Sequence, residues 1–361
     1  MRRFVQSLTP HTLMIVAGLI FGVLAALLVK WGNPANMGYC AACFLRDITG
    51  ALGLHRAGAV QYLRPEILGL ILGSFVAAIA FKEFRTRGGS APLVRFLLGT
   101  LMMIGAMVFL GCPVRALLRL AGGDLNGITA LAGLIFGVFV GILFLKRGFN
   151  LGRSTKMPSV AGWLFPAFMV ILLLFAIFTP YFIFSSTSGP GSLHPALWIS
   201  LVVGLAIGIL AQRTRMCFVG GWRDLILIKD VHLFSLIAAF FVAALVTNFA
   251  LGQVGHWSFT GQPISHDEHL WNFLGMALVG LSATLLGGCP LRQMVLSGQG
   301  DTDAAVTVLG MIAGAAVAYN FGLAASPSPA GVTTFGAWAV GIGLAVALLI
   351  GFLMRERRQA R

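Results

Sequence analysis

The chain has 361 residues, of which 58% are hydrophobic and only 10% are charged, and its formal net charge is +14. Soluble domains carry about 25% charged residues, so this composition excludes an ordinary water-soluble fold and predicts a helical protein that crosses a membrane several times. The basic residues form short clusters between apolar runs, which favours orientation in a lipid bilayer over nucleic-acid binding. Five cysteines in a chain of this length do not indicate a disulfide framework.

Ten apolar runs, in chain order, have lengths suited to crossing the hydrocarbon core of a bilayer as helices. They lie at about residues 12–30, 65–82, 92–110, 125–145, 160–184, 195–211, 232–251, 271–287, 303–321 and 333–354. Lys and Arg concentrate in every second connecting loop, and the positive-inside rule then places both termini in the cytoplasm.

One loop departs from this alternation of charge. The loop from Trp31 to Arg64 is predicted to lie on the outer side, yet it also carries Arg46 and Arg56. Either the topology is wrong at this point or the loop folds back into the protein. We favour the second interpretation, because the stretch after residue 211 repeats the motif of this loop.

A set of residues occurs twice in the chain with a constant separation of 177 positions. The equivalent pairs are Cys40 and Cys217, Arg46 and Arg223, Asp47 and Asp224, Gly111 and Gly288, Cys112 and Cys289, Arg115 and Arg292, and Asp124 and Asp301. Agreement in register without a gap predicts an internal duplication. Because one additional apolar run, at 160–184, separates the copies, the second copy is predicted to start on the opposite side of the membrane.

The predicted fold is therefore an all-α polytopic membrane protein with about nine or ten transmembrane helices in two inverted repeats with re-entrant half-helices. The predicted divisions are a first inverted repeat (1–150), a connecting transmembrane helix (151–190), a second inverted repeat (191–325), and an extra transmembrane helix with a basic cytoplasmic tail (326–361). Secondary transporters with inverted repeats hold their substrates near the midplane, where broken helices meet.

Cys112 and Cys289 each stand between a glycine and a proline. Proline favours the first position of a helix and drives the preceding residue out of helical geometry, so each cysteine is predicted to be the N-cap of a short half-helix. The positive end of the helix dipole then faces the thiol, and Arg115 and Arg292 follow one turn later on the same face. Such a group suits a net-negative ion that carries polarizable sulfur or selenium.

The candidate site residues follow from these motifs. The candidates for substrate binding are Cys40, Cys112, Cys217, Cys289, Arg115, Arg292, Gly111 and Gly288, and the possible accessory residues are Cys43, Arg119, Arg46 and Arg223. Arg119 has no basic equivalent in the second copy, so it could make the outer entrance more attractive to anions. No catalytic residue, no metal site and no cofactor is predicted.

Several structural roles compete with these assignments. Arg115 and Arg292 could instead neutralise Asp124 and Asp301, or cap neighbouring helices.

Arg46 and Arg223 are each followed by an aspartate, and ion pairs are the favoured interpretation there, since a carboxylate repels an anion. Cys43 has a glycine as its equivalent and could be a small apolar filler.

Two long phrases of the chain resemble a known family. The phrases YCAACFLRDITGALGLHRAGAVQYLRPEILG (39–69) and FLGCPVRALLRLAGGDLNG (109–127), with the repeat at 287–301, resemble the YeeE/YedE sulphur-transport membrane proteins, and most of all the YedE/FdhT-type branch associated with selenium metabolism. The resemblance implies that Cys112 and Cys289 pass an anion along by thiol contacts, with Cys40 and Cys217 as supporting thiols.

The expected function is that of a transporter in a bacterial inner (plasma) membrane, which moves a small anion containing sulfur or selenium and catalyses no covalent change. An alternative is a membrane thiol carrier or sulfurtransferase, which would form a persulfide or selenosulfide and hand it to a cytoplasmic sulfur- or selenium-handling partner. A third is an assembly partner in selenoprotein maturation that transports nothing. The expected partners are therefore the anionic substrate, the lipid bilayer and, for the carrier alternative, that cytoplasmic protein, but not a nucleic acid.

Overall fold

Helices make up nearly all of the regular structure in residues 10–355, the part of the chain that the computed structural model describes. In chain order they are α1 (Pro10–Lys30), α2 (Ala41–Ala51), α3 (Pro65–Ala80), α4 (Pro92–Phe109), α5 (Pro113–Ala121), α6 (Asn126–Lys146), α7 (Ser159–Phe178), α8 (Leu197–Thr214), α9 (Phe218–Ile228), α10 (His232–Ala250), α11 (His269–Leu286), α12 (Pro290–Gly298), α13 (Thr302–Asn320) and α14 (Thr334–Leu353). The strands β1 (Arg87–Gly88) and β2 (Thr155–Lys156) pair antiparallel, and a 3-10 turn covers Pro190–Ser192.

Nine helical segments among residues 10–355 are long and apolar enough to cross a membrane, and α3 is a further apolar helix of 16 residues. The prediction of an all-α polytopic membrane protein is thus confirmed. One predicted run, at 160–184, is too long, because Thr179 takes a left-handed conformation and Pro180 cannot continue α7. The basic clusters at Arg2-Arg3 and beyond Arg355 lie outside the described residues.

The helices on either side of the Gly-Cys-Pro phrases are interrupted by the same local geometry. Leu110, which caps the C-terminus of α4, has a φ of 63°, and the equivalent residue after α11 is Gly287, with a φ of 79°. A left-handed residue ends an α-helix, and the proline three positions later starts a new one. Each long helix is therefore followed by a short one, α5 or α12.

The two copies of the repeated sequence have the same order of elements, with α1–α6 corresponding to α8–α13. Three equivalent pairs of helices, α2 and α9, α4 and α11, and α5 and α12, have bounds that differ by 177 positions at both ends. The most extensive packing joins one copy to the other, in the pairs α1 with α10, α3 with α8, α6 with α11 and α4 with α13.

Glycines at these contacts are also separated by 177 positions. A Cβ atom added at Gly133 would lie 2.1 Å from the carbonyl oxygen of Phe273, and one added at the equivalent Gly310 would lie 2.1 Å from that of Phe96, the equivalent of Phe273. The helix backbones therefore approach too closely for any side chain at these positions, as in other membrane helix pairs with small residues at the contact. The contact between the copies is reciprocal.

The equivalent helices α4 and α11 pack against each other and run in opposite directions. The backbone of Gly105 in α4 faces that of Gly275 in α11, and His266, which precedes α11, contacts Val108 near the end of α4. By contrast, α6 and α11, which are not equivalent, run parallel.

The loop from Trp31 to Arg64 folds back into the protein, as expected from its arginines. It contains α2, all of whose residues are buried. Arg46 and Arg64 have almost no exposed surface, whereas Arg56 is exposed. Two of the three arginines that break the charge alternation are therefore buried within the protein.

Candidate functional site

Each of the four short helices α2, α5, α9 and α12 begins directly after a cysteine. Cys112 and Cys289 have extended backbones, with ψ values of 176° and 169°, and occupy the N-cap positions predicted from the sequence. Cys40 and Cys217 are also N-caps, and their sulfur atoms accept the backbone N–H three residues later at 3.3 and 3.1 Å. In these two helices a thiol takes the capping role that serine or aspartate usually fills.

The structure brings the thiols together as one pair within each copy. The sulfur atoms of Cys40 and Cys112 are 3.7 Å apart, and the sulfur of Cys217 accepts the backbone N–H of Cys289 at 3.5 Å. All four residues are buried and none forms a disulfide. Two half-helix N-termini, with the positive ends of their dipoles, therefore meet at each pair of sulfurs.

A third cysteine, Cys43, lies beside the pair of Cys40 and Cys112, and the second copy has Gly220 at the equivalent position. Its thiol lies 3.7 Å from the carbonyl oxygen of Leu110 and accepts from Nη1 of Arg115 at 3.4 Å. Cys43 thus connects the thiol pair to the nearest arginine, so its contacts are polar as well as apolar.

Arg115 is fully buried and contacts no carboxylate among the described residues. Its guanidinium donates to three backbone carbonyl groups, those of Leu110, Asn36 (3.2 Å) and Ile264 (3.0 Å). It therefore caps the C-terminus of α4, one of the two structural roles considered from the sequence. The other, neutralisation of Asp124, does not occur.

Arg292, the equivalent of Arg115, makes none of these contacts. Its Nη1 atom is buried and has no hydrogen-bond partner in residues 10–355, and its side chain lines a cavity of about 310 Å³ together with Arg215 and Arg87. Asp301, which could have neutralised Arg292, is instead 2.8 Å from Arg87. We call this space the Arg292 cavity.

Gly111 and Gly288 lie against the side chains of the arginines that follow them. An added Cβ atom would be 3.0 Å from Cδ of Arg115 at Gly111 and 2.9 Å from Cγ of Arg292 at Gly288. The absence of a side chain therefore leaves room for the arginine stem to pass close to the backbone that leads into the thiol. This places both glycines next to the site.

Arg119 does not provide a free positive charge. Its Nε atom is 2.6 Å from Asp124, its Nη1 donates to Phe109 at 3.0 Å, and its Nη2 donates to the hydroxyl of Ser265. The carboxylate neutralises it in a fully buried ion pair. The hypothesis that Arg119 attracts anions is therefore corrected to a structural role.

Arg46 and Arg223 form the ion pairs that the sequence favoured, with Asp47 and Asp224 at 2.7 and 2.8 Å. The sequence interpretation missed Arg64, which is 2.7 Å from the second oxygen of Asp47. Asp47 therefore lies between two buried arginines. The signal for this contact was the presence of Arg64 in a loop that the charge alternation predicted to be free of basic residues.

A second cavity, of about 330 Å³, is lined by Arg46, Leu110, Ile264 and Tyr319, and we call it the Arg46 cavity. Tyr319 is in the last turn of α13, whereas Asp301 in the Arg292 cavity is its N-cap. The two cavities therefore lie at opposite ends of a helix of 19 residues, about 28 Å long. Leu110 lines the Arg46 cavity, and its carbonyl oxygen contacts the thiol of Cys43. Arg292 lines the Arg292 cavity and follows Cys289 by three residues.

Within residues 10–355, no group of three or more His, Cys, Asp or Glu side chains is arranged to hold a metal ion.

A sequence model of one family, described as sulphur transport, matches residues 1–140 and 213–360. The chain belongs to the sulphur transport family. Each matched segment contains one of the two cysteine pairs, Cys40 with Cys112 or Cys217 with Cys289. The family thus encompasses both copies of the site.

Two curated relatives are similar to parts of the chain. A thiosulfate transporter, TsuA, of Spirochaeta thermophila is 33% identical over 108 residues, which cover 30% of this chain and 32% of the relative. The thiosulfate transporter TsuA of Escherichia coli K12 is 29% identical over 100 residues, 28% of each chain. The chain therefore matches about a third or less of the length of each relative.

Proposed function

We propose that this protein transports a small sulfur-containing anion, such as thiosulfate, across a bacterial inner membrane by way of its two thiol pairs. The observation that carries the proposal is the meeting of half-helix N-termini at Cys40 with Cys112 and at Cys217 with Cys289. Membership of the sulphur transport family and the names of the two relatives support the substrate class.

The recognition chemistry follows from the groups at each pair. Helix N-termini stabilise negative charge, and Arg115 and Arg292 add cationic groups that no carboxylate neutralises among the described residues. The terminal sulfur of thiosulfate is soft and polarizable, and the thiols offer it soft, weak contacts. Weak contacts allow the anion to leave one pair and reach the next, which a transporter requires.

The proposal includes an inversion of the two copies in the membrane, with both termini in the cytoplasm. The antiparallel packing of the equivalent helices α4 and α11 supports it, as do the reciprocal glycine contacts between the copies. With this topology the Arg46 cavity opens to the outer side and the Arg292 cavity to the cytoplasm. Both thiol pairs are buried between them, so small local movements would open each pair in turn.

Uptake of labelled thiosulfate by proteoliposomes tests the function directly. We expect Cys112→Ala and Cys289→Ala to reduce the initial rate at least about tenfold, since each removes the soft contact from one of two steps in series. Normal uptake by both variants would contradict the mechanism.

Serine variants test the sulfur atom itself. The side chains of Cys112 and Cys289 accept no capping hydrogen bond, so Cys112→Ser and Cys289→Ser leave the start of each half-helix intact and replace the thiol by a hydroxyl. We expect them to fold like the wild type in size-exclusion chromatography and to transport as poorly as the alanine variants. Full activity of the serine variants would mean that a small polar group, rather than the soft sulfur atom, is what transport requires at these positions.

The same preparation also tests whether selenium compounds are substrates and whether the protein carries sulfur covalently. Competition by unlabelled selenite would extend the substrate class to the selenium chemistry suggested by the sequence phrases. Intact-protein mass spectrometry during turnover would detect a persulfide on Cys112 or Cys289 as an added mass of one sulfur atom. We expect no adduct, because non-covalent contacts are enough for the proposed path.

A further inference from the structure

The Arg292 cavity has an unusual balance of charge. Four arginines line it, Arg85, Arg87, Arg215 and Arg292, against two carboxylates, Glu83 and Asp301. The two glutamines at its wall, Gln212 and Gln299, add amide groups. The lining therefore has an excess of positive charge before any pairing is considered.

Both carboxylates are already engaged. Asp301 is 2.8 Å from Arg87, and Glu83 accepts from Arg213 at 2.9 Å and from Gln212 at 2.7 Å.

The remaining three guanidinium groups, those of Arg85, Arg215 and Arg292, make no ion pair and no hydrogen bond with any described residue. Nη1 of Arg292 is moreover enclosed by protein and has no partner. A buried, unpaired guanidinium nitrogen is costly, and a bound anion is the simplest group that would satisfy it.

The equivalent region of the first copy has no such excess. The residue equivalent to Arg87 is Ile264, whose carbonyl accepts from Arg115, and Arg119 within α5 pairs with Asp124. In the second copy, Leu296 replaces Arg119 and Arg87 supplies the partner of Asp301. The unpaired arginines are thus a feature of one end of the molecule.

We infer that the Arg292 cavity is a binding site for a divalent oxyanion, held by Arg85, Arg215 and Arg292. Its volume of about 310 Å³ is about ten times the ~30 Å³ share of one liquid water, so it has room for a small anion and its waters. No cysteine lines it, so it recognises charge and oxygen atoms but no soft sulfur. It therefore binds sulfate as well as thiosulfate, unlike the thiol pairs.

This inference extends the proposed function, because in the proposed topology the site faces the cytoplasm and would receive the anion after the second thiol pair. It does not depend on transport for its test. Binding is measured at equilibrium, so a failure of the uptake experiment and a failure of this one are distinguishable.

The test is a calorimetric titration of the purified full chain with sulfate in nanodiscs of zwitterionic lipid. We expect saturable binding, and we expect Arg215→Gln and Arg85→Gln each to weaken it at least about tenfold, as for loss of a charge-assisted hydrogen bond. Thiosulfate should bind within about threefold of sulfate. Arg153→Gln is the matched control, because it removes an exposed basic residue that does not line the cavity and should leave the affinity unchanged.

Three results would overturn the inference. They are the absence of sulfate binding by the wild type, unchanged affinity in both arginine variants, and a loss of sulfate binding in Cys289→Ser, which would assign the anion to the thiol pair. A repeat in discs that contain phosphatidylglycerol distinguishes the source of the anion. Unchanged affinity supports a dissolved anion, whereas loss of binding would identify a lipid headgroup as the occupant and refute the inference.

Discussion

The buried ion pair between Arg119 and Asp124 allows a sharp comparison between the two copies. Asp124 accepts from Arg119 through one oxygen and from the backbone and side chain of Asn126 through the other, and both charged side chains are fully buried. We predict that Asp124→Asn destabilises the protein strongly, because it leaves the charge of Arg119 buried without a counter-ion.

The second copy supplies the matched control. The equivalent Asp301 pairs with Arg87, whose side chain is 50% exposed, and Asp301 also caps α13 by accepting from the N–H of Ala304. Asparagine keeps that cap, so Asp301→Asn loses only a partly exposed ion pair, about 0–1 kcal/mol. Breaking a buried pair costs about 3–5 kcal/mol, so the two variants should differ by at least about 2 kcal/mol in free energy of unfolding.

The assay is reversible denaturant unfolding in mixed micelles, followed by helix content. A third variant, Arg119→Leu with Asp124→Asn, places leucine where the second copy naturally has Leu296, and should recover most of the lost stability because no charge stays unpaired. It should also retain thiosulfate uptake. Equal destabilisation by Asp124→Asn and Asp301→Asn, or no recovery in the double variant, would refute the reasoning.

Two further predictions concern packing and pH. Gly137→Leu should abolish the monodisperse folded peak in size-exclusion chromatography, because its Cβ would lie 2.0 Å from the carbonyl oxygen of Ala277, whereas Gly341→Leu, with no atom within 4 Å, should elute normally. Burial raises the pKa of Glu83, but the hydrogen bonds from Arg213 and Gln212 and the charges of Arg213 and Arg215 together outweigh it and hold that pKa below its ordinary value of 4.5. Since the pKa of Glu83 is lower in the folded state than in the unfolded state, the Glu83–Arg213 pair stabilises the fold above about pH 4.5, and this contribution is lost as the pH falls below that value. The difference in free energy of unfolding between wild type and Glu83→Gln should therefore disappear at low pH. A difference that does not change with pH would argue against this pair.

The long helices and the Cys-Pro half-helices could be predicted from local sequence. Apolar runs define the membrane helices, and proline after Cys112 and Cys289 defines the N-caps of α5 and α12. The helices α2 and α9 were not predicted, because Cys40 and Cys217 are followed by no proline. Their shared register of 177 residues was the remaining signal.

The partners of the arginines could not be predicted, because they depend on contacts between distant parts of the chain. Arg115 and Arg292 hold equivalent positions, yet the carbonyl of Ile264, 149 positions away in the sequence, accepts from Arg115, whereas no described residue accepts from Nη1 of Arg292. Identical motifs thus acquire different environments through non-equivalent loops. The same holds for Asp301, whose partner Arg87 comes from the other copy.

The central claim, that the two copies are inverted so that their thiol pairs follow one another along a path, is tested most directly by labelling equivalent loops. Lys82 and Thr260 are both exposed, and they lie in the loops that follow the equivalent helices α3 and α10. All five native cysteines are buried, so the wild type gives a low background with a membrane-impermeant maleimide. In sealed, right-side-out vesicles we expect Thr260→Cys to be labelled at once and Lys82→Cys only after permeabilisation, whereas labelling of both variants from the same side would contradict the account.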